Sequence, residues 1–259
     1  MKKEFKLKEL IKAYSPLAIA FSGGTDSSLL AKIAFDVIGD KLLLIHARSV
    51  FSPVQESAFA MEWATKNHLR IKLLELDPLS APNIKKNCAK RCYHCKRLIM
   101  EAIKNTAREE GIENVADGTN TDDYSDYRPG LQATQELGII HPLAEAELGK
   151  RHIRQLARKY KLPNWRKPAS ACLASRIPHD TPLDAETLKR ADKAETFLRG
   201  LGFEGCRARI LNPTSAKIEI NPLHFRSFTQ KRKEIEAFLH SLGFQEIFLS
   251  EYKRGSLNP

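Results

Sequence analysis

The run Leu17-Ala-Ile-Ala-Phe21, the break Ser22-Gly23-Gly24 and the helix-patterned stretch Ser27 to Ile38 constrain this chain more than any other segment. A short apolar strand that turns on paired glycines straight into a helix is the opening half of a βαβ unit. The alternation continues. Leu42 to His46 reads as a strand, Gln55 to Asn67 as a helix and Ile71 to Leu76 as a strand. Arg91 to Gly111 reads as a helix and Val115 to Thr119 as a strand, with an amphipathic helix, Lys3 to Tyr14, ahead of them all. The spacing predicts an α/β fold: a parallel sheet with helices on both faces, right-handed crossovers and a ligand site at the carboxyl ends of the strands.

Past Pro142 the alternation fades. Lys150 to Tyr160 reads as a helix, Asn164 to Thr181 as irregular, and Asp184 to Leu201 as a long amphipathic helix. Arg207 to Leu211 and Ala216 to Ile220 read as paired strands, Leu223 to Leu242 as a helix and Glu246 to Leu249 as a last strand. The expectation is two domains, 1–145 with the parallel sheet and 146–259 as a smaller α+β domain. Thr119 to Gly130, with Asp122, Asp123 and Asp126, reads as a polar loop over the site.

Charge supports two differently composed parts. The net charge is +11, yet residues 1–150 hold 21 Lys and Arg against 20 Asp and Glu, and residues 151–259 hold 21 against 11. A polyanionic partner and a solvated basic surface both fit that asymmetry. The longest apolar runs, Pro16 to Phe21 and Leu42 to Ile45, are too short to cross a bilayer, and MKKEFKLKEL continues amphipathically rather than as a leader. The expectation is a soluble cytoplasmic protein without a membrane partner. Five cysteines are too few for a secreted disulfide scaffold. Three of them, Cys88, Cys92 and Cys95, lie within eight residues, a spacing that points to metal binding or redox chemistry.

The turn Phe21-Ser-Gly-Gly-Thr-Asp-Ser-Ser28 has the composition of an anion cradle. Its glycines let backbone N–H groups converge, the helix start adds the positive end of a dipole, and Ser22, Ser27 and Ser28 add hydroxyls. No Lys follows, so this is not the Walker arrangement. A Ser/Gly turn without a ligand is the plain alternative. The run resembles the PP-loop, SGGxDS, of the ATP pyrophosphatase superfamily. The resemblance implies cleavage of ATP between its α and β phosphates and adenylation of a carbonyl or carboxylate oxygen. It implies ATP contacts at Ser22, Gly23, Gly24, Asp26, Ser27 and Ser28. It implies others at His46, Ala47 and Arg48, which end the second strand, and at Gly118 and Thr119, which end the fourth. Asp26 would help position Mg²⁺ and pyrophosphate, or serve only as a carboxylate at a helix start; Asp117 would cap a loop.

Cys88-Ala-Lys-Arg-Cys92-Tyr-His-Cys95 matches the C-x3-C-x2-C of radical-SAM enzymes by letter, but it follows several α/β units and a phosphate loop. Half a zinc site fits as well. Cys172 lies in Pro168-Ala-Ser-Ala-Cys-Leu-Ala-Ser-Arg-Ile177, beside Arg176, where a thiol is either activated or simply buried.

Taken together, SGGTDS at 22–27, GTNTDD at 118–123, Asp126-Tyr-Arg-Pro-Gly130, ACLASRIP at 171–178 and Arg207-Ala-Arg209 resemble the LarE family. Its members are ATP-dependent sulfur transferases that build the nickel-pincer nucleotide cofactor. The resemblance implies a nicotinate-derived pyridinium mononucleotide as substrate. ATP adenylates its ring carboxylate, sulfur attacks, AMP leaves and a thiocarboxylate results. One branch gives up its own cysteine sulfur, leaving dehydroalanine at the position matching Cys172. Another holds a [4Fe–4S] cluster on three cysteines, with the fourth iron open to sulfide. Cys92 and Cys95 beside Cys172 place this chain nearer the cluster branch, with Cys88 a bystander and Cys206 structural. The resemblance further implies catalytic roles for Cys172, Asp26 and Arg176, and a sulfide donor and further copies of the chain as partners.

Arg207 and Arg209 alternate on a strand, as two guanidiniums gripping a phosphate would. The resemblance assigns them the phosphate of the mononucleotide, and solvent-exposed strand charges are the alternative. Glu195 and Glu219 are further candidates for acidic groups near the site. The rival reading is a PP-loop enzyme that thiolates tRNA, which the basic half and a three-cysteine cluster would suit. Against it, no aromatic platform is interleaved with the basic residues, so the expectation is no nucleic-acid partner.

Overall fold

The computed structural model describes residues 2–125, 129–168 and 171–253. In chain order its helices and strands are α1 (Lys2–Ala13), β1 (Leu17–Ala20), α2 (Thr25–Ile38), β2 (Leu42–Arg48), α3 (Val54–Lys66), β3 (Ile71–Glu75), α4 (Pro82–Lys85) and α5 (Arg91–Glu109). Next come β4 (Asn114–Ala116), α6 (Pro129–Glu136), α7 (Pro142–Glu145), α8 (Lys150–Lys159) and α9 (Ala185–Gly200). β5 (Arg207–Asn212), β6 (Ser215–Ile220), α10 (Phe225–Gln230), α11 (Arg232–Ser241) and β7 (Glu246–Glu251) complete the series. The chain divides into two compact units. The first takes Met1–Ser49, Gln55–Leu76 and Cys92–Ala169, and the second takes Val50–Val54, Asp77–Arg91 and Ser170–Pro259.

The first unit is the α/β fold read from the sequence. Its four strands are parallel in the order β3-β2-β1-β4. Leu17 pairs with Leu42 and Ile19 with Leu44, so side chains of like size sit at one level of the sheet. Alternation along the strands sorts the core into two layers. Leu17, Ile19, Leu42 and Leu44 pack with α1, α2 and α8 through residues such as Leu7, Ile11, Leu30, Ile33 and Ile153. Ala18, Leu43, Ile45 and Val115 face α5 through Met100, Ile103 and Ala107. The sheet order reverses between β1 and β4, and the loops leaving those two strands therefore open side by side.

The second unit is built on a three-stranded sheet in the order β5-β6-β7, antiparallel at β5–β6 and parallel at β6–β7. Phe197 of α9 stacks on Phe238 of α11 with ring centroids 4.0 Å apart.

Two local expectations differ from the structure. The stretch expected as a polar loop, Thr119 to Gly130, contains a 3-10 turn over Thr121–Ser125 and the start of α6; its Asp126 lies outside the described residues. The single helix expected over 223–242 is two helices. They break at Lys231 (φ −97°, ψ 9°), whose Nζ donates to the Leu201 carbonyl at 3.0 Å. Among the described residues no helix is long and apolar enough to cross a membrane.

Candidate active site

The turn between β1 and α2 is held by contacts that only small or amide side chains satisfy. Gly23 sits at φ +72°, and a Cβ there would lie 2.9 Å from Cβ of Ala60. Gly118, which leaves β4, approaches so closely that its own Cβ would stand 3.0 Å from the Ser27 nitrogen. Both glycines are thus required by backbone contact, one also by its conformation. Gly24 is the N-cap of α2 and carries no side chain to cap it, which leaves the dipole end of the helix to a ligand.

The hydroxyls are shared within the loop. Ser22 Oγ and Ser27 Oγ are 3.1 Å apart, and Ser27 Oγ donates to the Gly24 carbonyl at 3.2 Å. Ser28 is fully buried, and its Oγ accepts from Nδ2 of Asn164 at 3.0 Å. The half-buried Asp26 accepts from Asn120 Nδ2 at 3.0 Å. A carboxylate oxygen beside a phosphate cradle is the donor type Mg²⁺ takes, so the residues present fit a magnesium nucleotide.

His46 is buried, with Nδ1 donating to the Phe21 carbonyl at 2.8 Å and Nε2 accepting from Ser57 Oγ at 2.9 Å. Burial pulls its pKa down, and the Phe21 bond offsets that only in part. A neutral imidazole thus ties the end of β1 to β2 and α3. Ala47 and Arg48 follow on β2, where Arg48 Nε donates to Glu75 Oε1 at 2.9 Å across to β3.

At the end of β4 lies a charge cluster that the sequence reading passed over. Asp117 is buried, with Lys96 Nζ 3.1 Å from Oδ2 and His141 Nδ1 2.8 Å from Oδ1. The Thr119 backbone N–H adds a third donor to Oδ1 at 2.9 Å. Burial pushes this carboxyl up, but Lys96, His141 and that amide outweigh it and hold Asp117 well below the usual carboxylate range. Asp117 therefore does more than cap a loop: it fixes Lys96 and the Gly118-Thr119 backbone beside the phosphate turn.

None of the five cysteines is in a disulfide. In the first unit, Cys92 is exposed and Cys95 half-exposed, three residues apart on the first turn of α5 and so on one helix face. In the second unit Cys172 is exposed, Cys88 half-exposed and Cys206 buried, and burial pushes the Cys206 thiol up to about 12. Two accessible thiols on one helix face, one exposed and one half-exposed, suit soft-metal ligation. Among the described residues, however, no group of three or more His, Cys, Asp or Glu stands together as a metal site.

In the second unit buried guanidiniums pin the backbone around Cys172. Arg176 Nη1 donates to the carbonyls of Ala171 at 3.1 Å and Cys172 at 3.2 Å. Arg91 Nη1 donates to the Ala174 carbonyl at 3.2 Å, and Arg209 Nη1 to that of Ser175 at 2.5 Å. Arg176 in turn pairs with Glu195, which also accepts from the Ala208 amide at 3.0 Å. Arg209 Nε pairs with Glu219 at 2.9 Å. Arg207 is buried near the Tyr252 ring and donates to the Cys206 carbonyl at 2.8 Å. Neither strand arginine is a solvent-exposed charge; the buried Glu219 pairs with Arg209, and the buried Glu195 with Arg176.

The sequence reading also missed Asn164, which holds the phosphate turn from a loop 136 residues further along the chain. Only its Asn-Trp-Arg context marked the spot, and nothing local distinguished it from other polar loop residues.

No family model matches the chain. It is 36% identical over 262 residues to an uncharacterized protein of Synechocystis, covering 98% of this chain and 97% of that one. It is 34% identical over 259 residues to the pyridinium-3,5-bisthiocarboxylic acid mononucleotide synthase of Lactiplantibacillus plantarum, covering 99% of this chain and 94% of the synthase. A weaker match, 27% over 175 residues, is to one subunit of the glutamine-hydrolyzing GMP synthase of Pyrococcus abyssi, covering 62% of this chain and 56% of that subunit. This last likeness fits the parallel sheet and its phosphate turn. A similarity at the level of the mononucleotide synthase, across almost the whole of both chains, shows that the protein belongs to the LarE family of sulfur transferases.

Proposed function

We propose that this chain catalyses the ATP-dependent, AMP-forming conversion of the ring carboxylate of a pyridinium mononucleotide to a thiocarboxylate, within nickel-pincer cofactor synthesis. The carrying observation is the near-full-length likeness to a mononucleotide synthase in a chain with this phosphate turn. In the first step a carboxylate oxygen attacks the α-phosphorus of ATP, and the bond to the β-phosphate oxygen breaks with release of pyrophosphate. In the second, hydrosulfide attacks the acyl carbon, the acyl–oxygen bond breaks, AMP departs with the electron pair and the thiol proton goes to solvent.

The residues divide this work. Ser22, Gly23, Gly24, Ser27 and Ser28 shape the cradle for the polyphosphate, with Asp26 toward Mg²⁺. His46, Ala47, Arg48, Gly118 and Thr119 carry the nucleoside end. Arg207 and Arg209 would hold the phosphate of the mononucleotide, and Arg176 would order the backbone at Cys172. For the sulfur source, the reading is a [4Fe–4S] cluster on Cys92, Cys95 and Cys172, whose fourth iron would supply an open position for sulfide. Cys172 acting as a sacrificial thiol is the competing source.

The test is single-turnover reaction of anaerobically purified protein with ATP, Mg²⁺, sulfide and a carboxylated pyridinium mononucleotide. Equal amounts of AMP and sulfur-for-oxygen exchanged product are expected. ADP formation, or no product, would sink the proposal. Iron and labile-sulfide analysis, with intact mass before and after turnover, separates the two sulfur sources: loss of one H₂S from the protein identifies Cys172 as the donor.

A further inference from the structure

Asn164 lies in the loop after α8, a helix whose Ile153 and Ala157 share the core with α2. That packing brings a distant loop to the start of α2, and Asn164 uses both side-chain donors there. Its Nδ2 gives one hydrogen to the Gly23 carbonyl at 3.0 Å and one to Ser28 Oγ at 3.0 Å. A carbonyl only accepts, so the atom facing Gly23 is the amide nitrogen, which fixes the orientation of the side chain. The Asn164 backbone carbonyl accepts from Thr25 Oγ1 at 2.8 Å. Gly23, Thr25 and Ser28 are thus clamped from a single residue.

The clamp has an uncompensated part. Asn164 is 5% exposed, and its Oδ1 is buried without a hydrogen-bond partner among the described residues. A buried acceptor left unmade is costly, and an apolar side chain of similar size would avoid the cost. What an apolar side chain cannot do is hold the Gly23 peptide in its left-handed turn while donating to Ser28. Glycine has many conformations open to it besides the one at φ +72°, and the bond to its carbonyl selects that one.

We infer that Asn164 is a positioning residue for the pyrophosphate portion of ATP, setting the curvature of the 22–28 turn without touching the nucleotide. The inference rests on the reading of that turn as an ATP cradle. It is tested by calorimetric titration of the full chain with Mg²⁺–ATP and with AMP, on wild type and on Asn164→Leu, which keeps the approximate volume, removes both donations and adds no charge. ATP affinity falls about tenfold, the worth of roughly one hydrogen bond, while AMP affinity stays within about twofold, so the ratio between them falls. A structural role alone would lower both affinities together or neither, and either result overturns the inference. Thr25→Val, removing only the backbone half of the clamp, gives the same change in ratio at about threefold, and an unchanged ratio there also overturns it. Wild type that fails to bind Mg²⁺–ATP refutes the cradle reading itself, whereas wild-type binding with unaltered variants refutes only the role of Asn164.

Discussion

Arg176 and Glu195 meet side by side in the second unit, Nε to Oε1 at 2.5 Å and Nη2 to Oε2 at 2.9 Å, with both side chains buried. The pair anchors the guanidinium whose remaining nitrogen holds the Cys172 carbonyl. Burial pulls Arg176 down, and the bond and charge of Glu195 outweigh it. Replacing one partner strands the other in a dry environment. Glu195→Gln should therefore destabilise the protein by about 3 kcal/mol, read as a shift of the urea midpoint without a change of slope.

Asp117 offers a test in pH. Its carboxyl is held below the ordinary range, so it contributes stability that is present above the unfolded value and lost as pH falls through the folded one. The contribution is intact at neutrality and erodes below about pH 4. Asp117→Asn should lower stability at pH 7 and flatten that acid limb, measured by thermal melts from about pH 2 to 7, a range set by the reference carboxylate value of about 3.9.

Gly23→Ala forces a side chain into both a left-handed turn and the Cβ of Ala60, 2.9 Å away. The expected cost is roughly 1–3 kcal/mol, with a raised KM for ATP and an unchanged KM for the sulfur acceptor. A normal melting temperature together with normal ATP kinetics would remove the backbone requirement.

The cysteines separate by variant. Cys172→Ala should abolish thiocarboxylate formation and leave AMP release from the carboxylate substrate. Cys92→Ser and Cys95→Ser should lose iron and visible absorption from anaerobic preparations. Cys88→Ser should keep iron, colour and turnover, since its half-exposed thiol reaches only the Asn83 carbonyl at 3.6 Å in the described contacts. Iron lost with Cys88 would make it a ligand.

The parallel sheet was legible because both periodicities were strong. Leu17-Ala-Ile-Ala and Leu42-Leu-Leu-Ile are apolar runs of strand length, bounded by turn residues and alternating with helical periods, which argues strands buried on two faces, and Ser22-Gly-Gly marks its own turn. Asp117 was visible only as a loop cap, because its partners Lys96 and His141 come from distant elements and no local pattern links them. Asn164 escaped for the same reason. The break at Lys231 was hidden because Gln230, Lys231 and Arg232 are all good helix formers, overruled here by a tertiary bond to Leu201. Arg207 and Arg209 were legible as a pair, while their burial against Glu219 and Tyr252 was not.

The two units share one thread in interleaved portions, with Val50–Val54 and Asp77–Arg91 lent by the first half of the chain to the second unit. A gene cut at any single codon therefore cannot separate the two units: a fragment 1–169 carries all of the first but takes Val50–Val54 and Asp77–Arg91 away from the second. Swapping halves with a relative always builds at least one unit from two parents, whereas exchanging loops within one portion leaves both units' inventories whole.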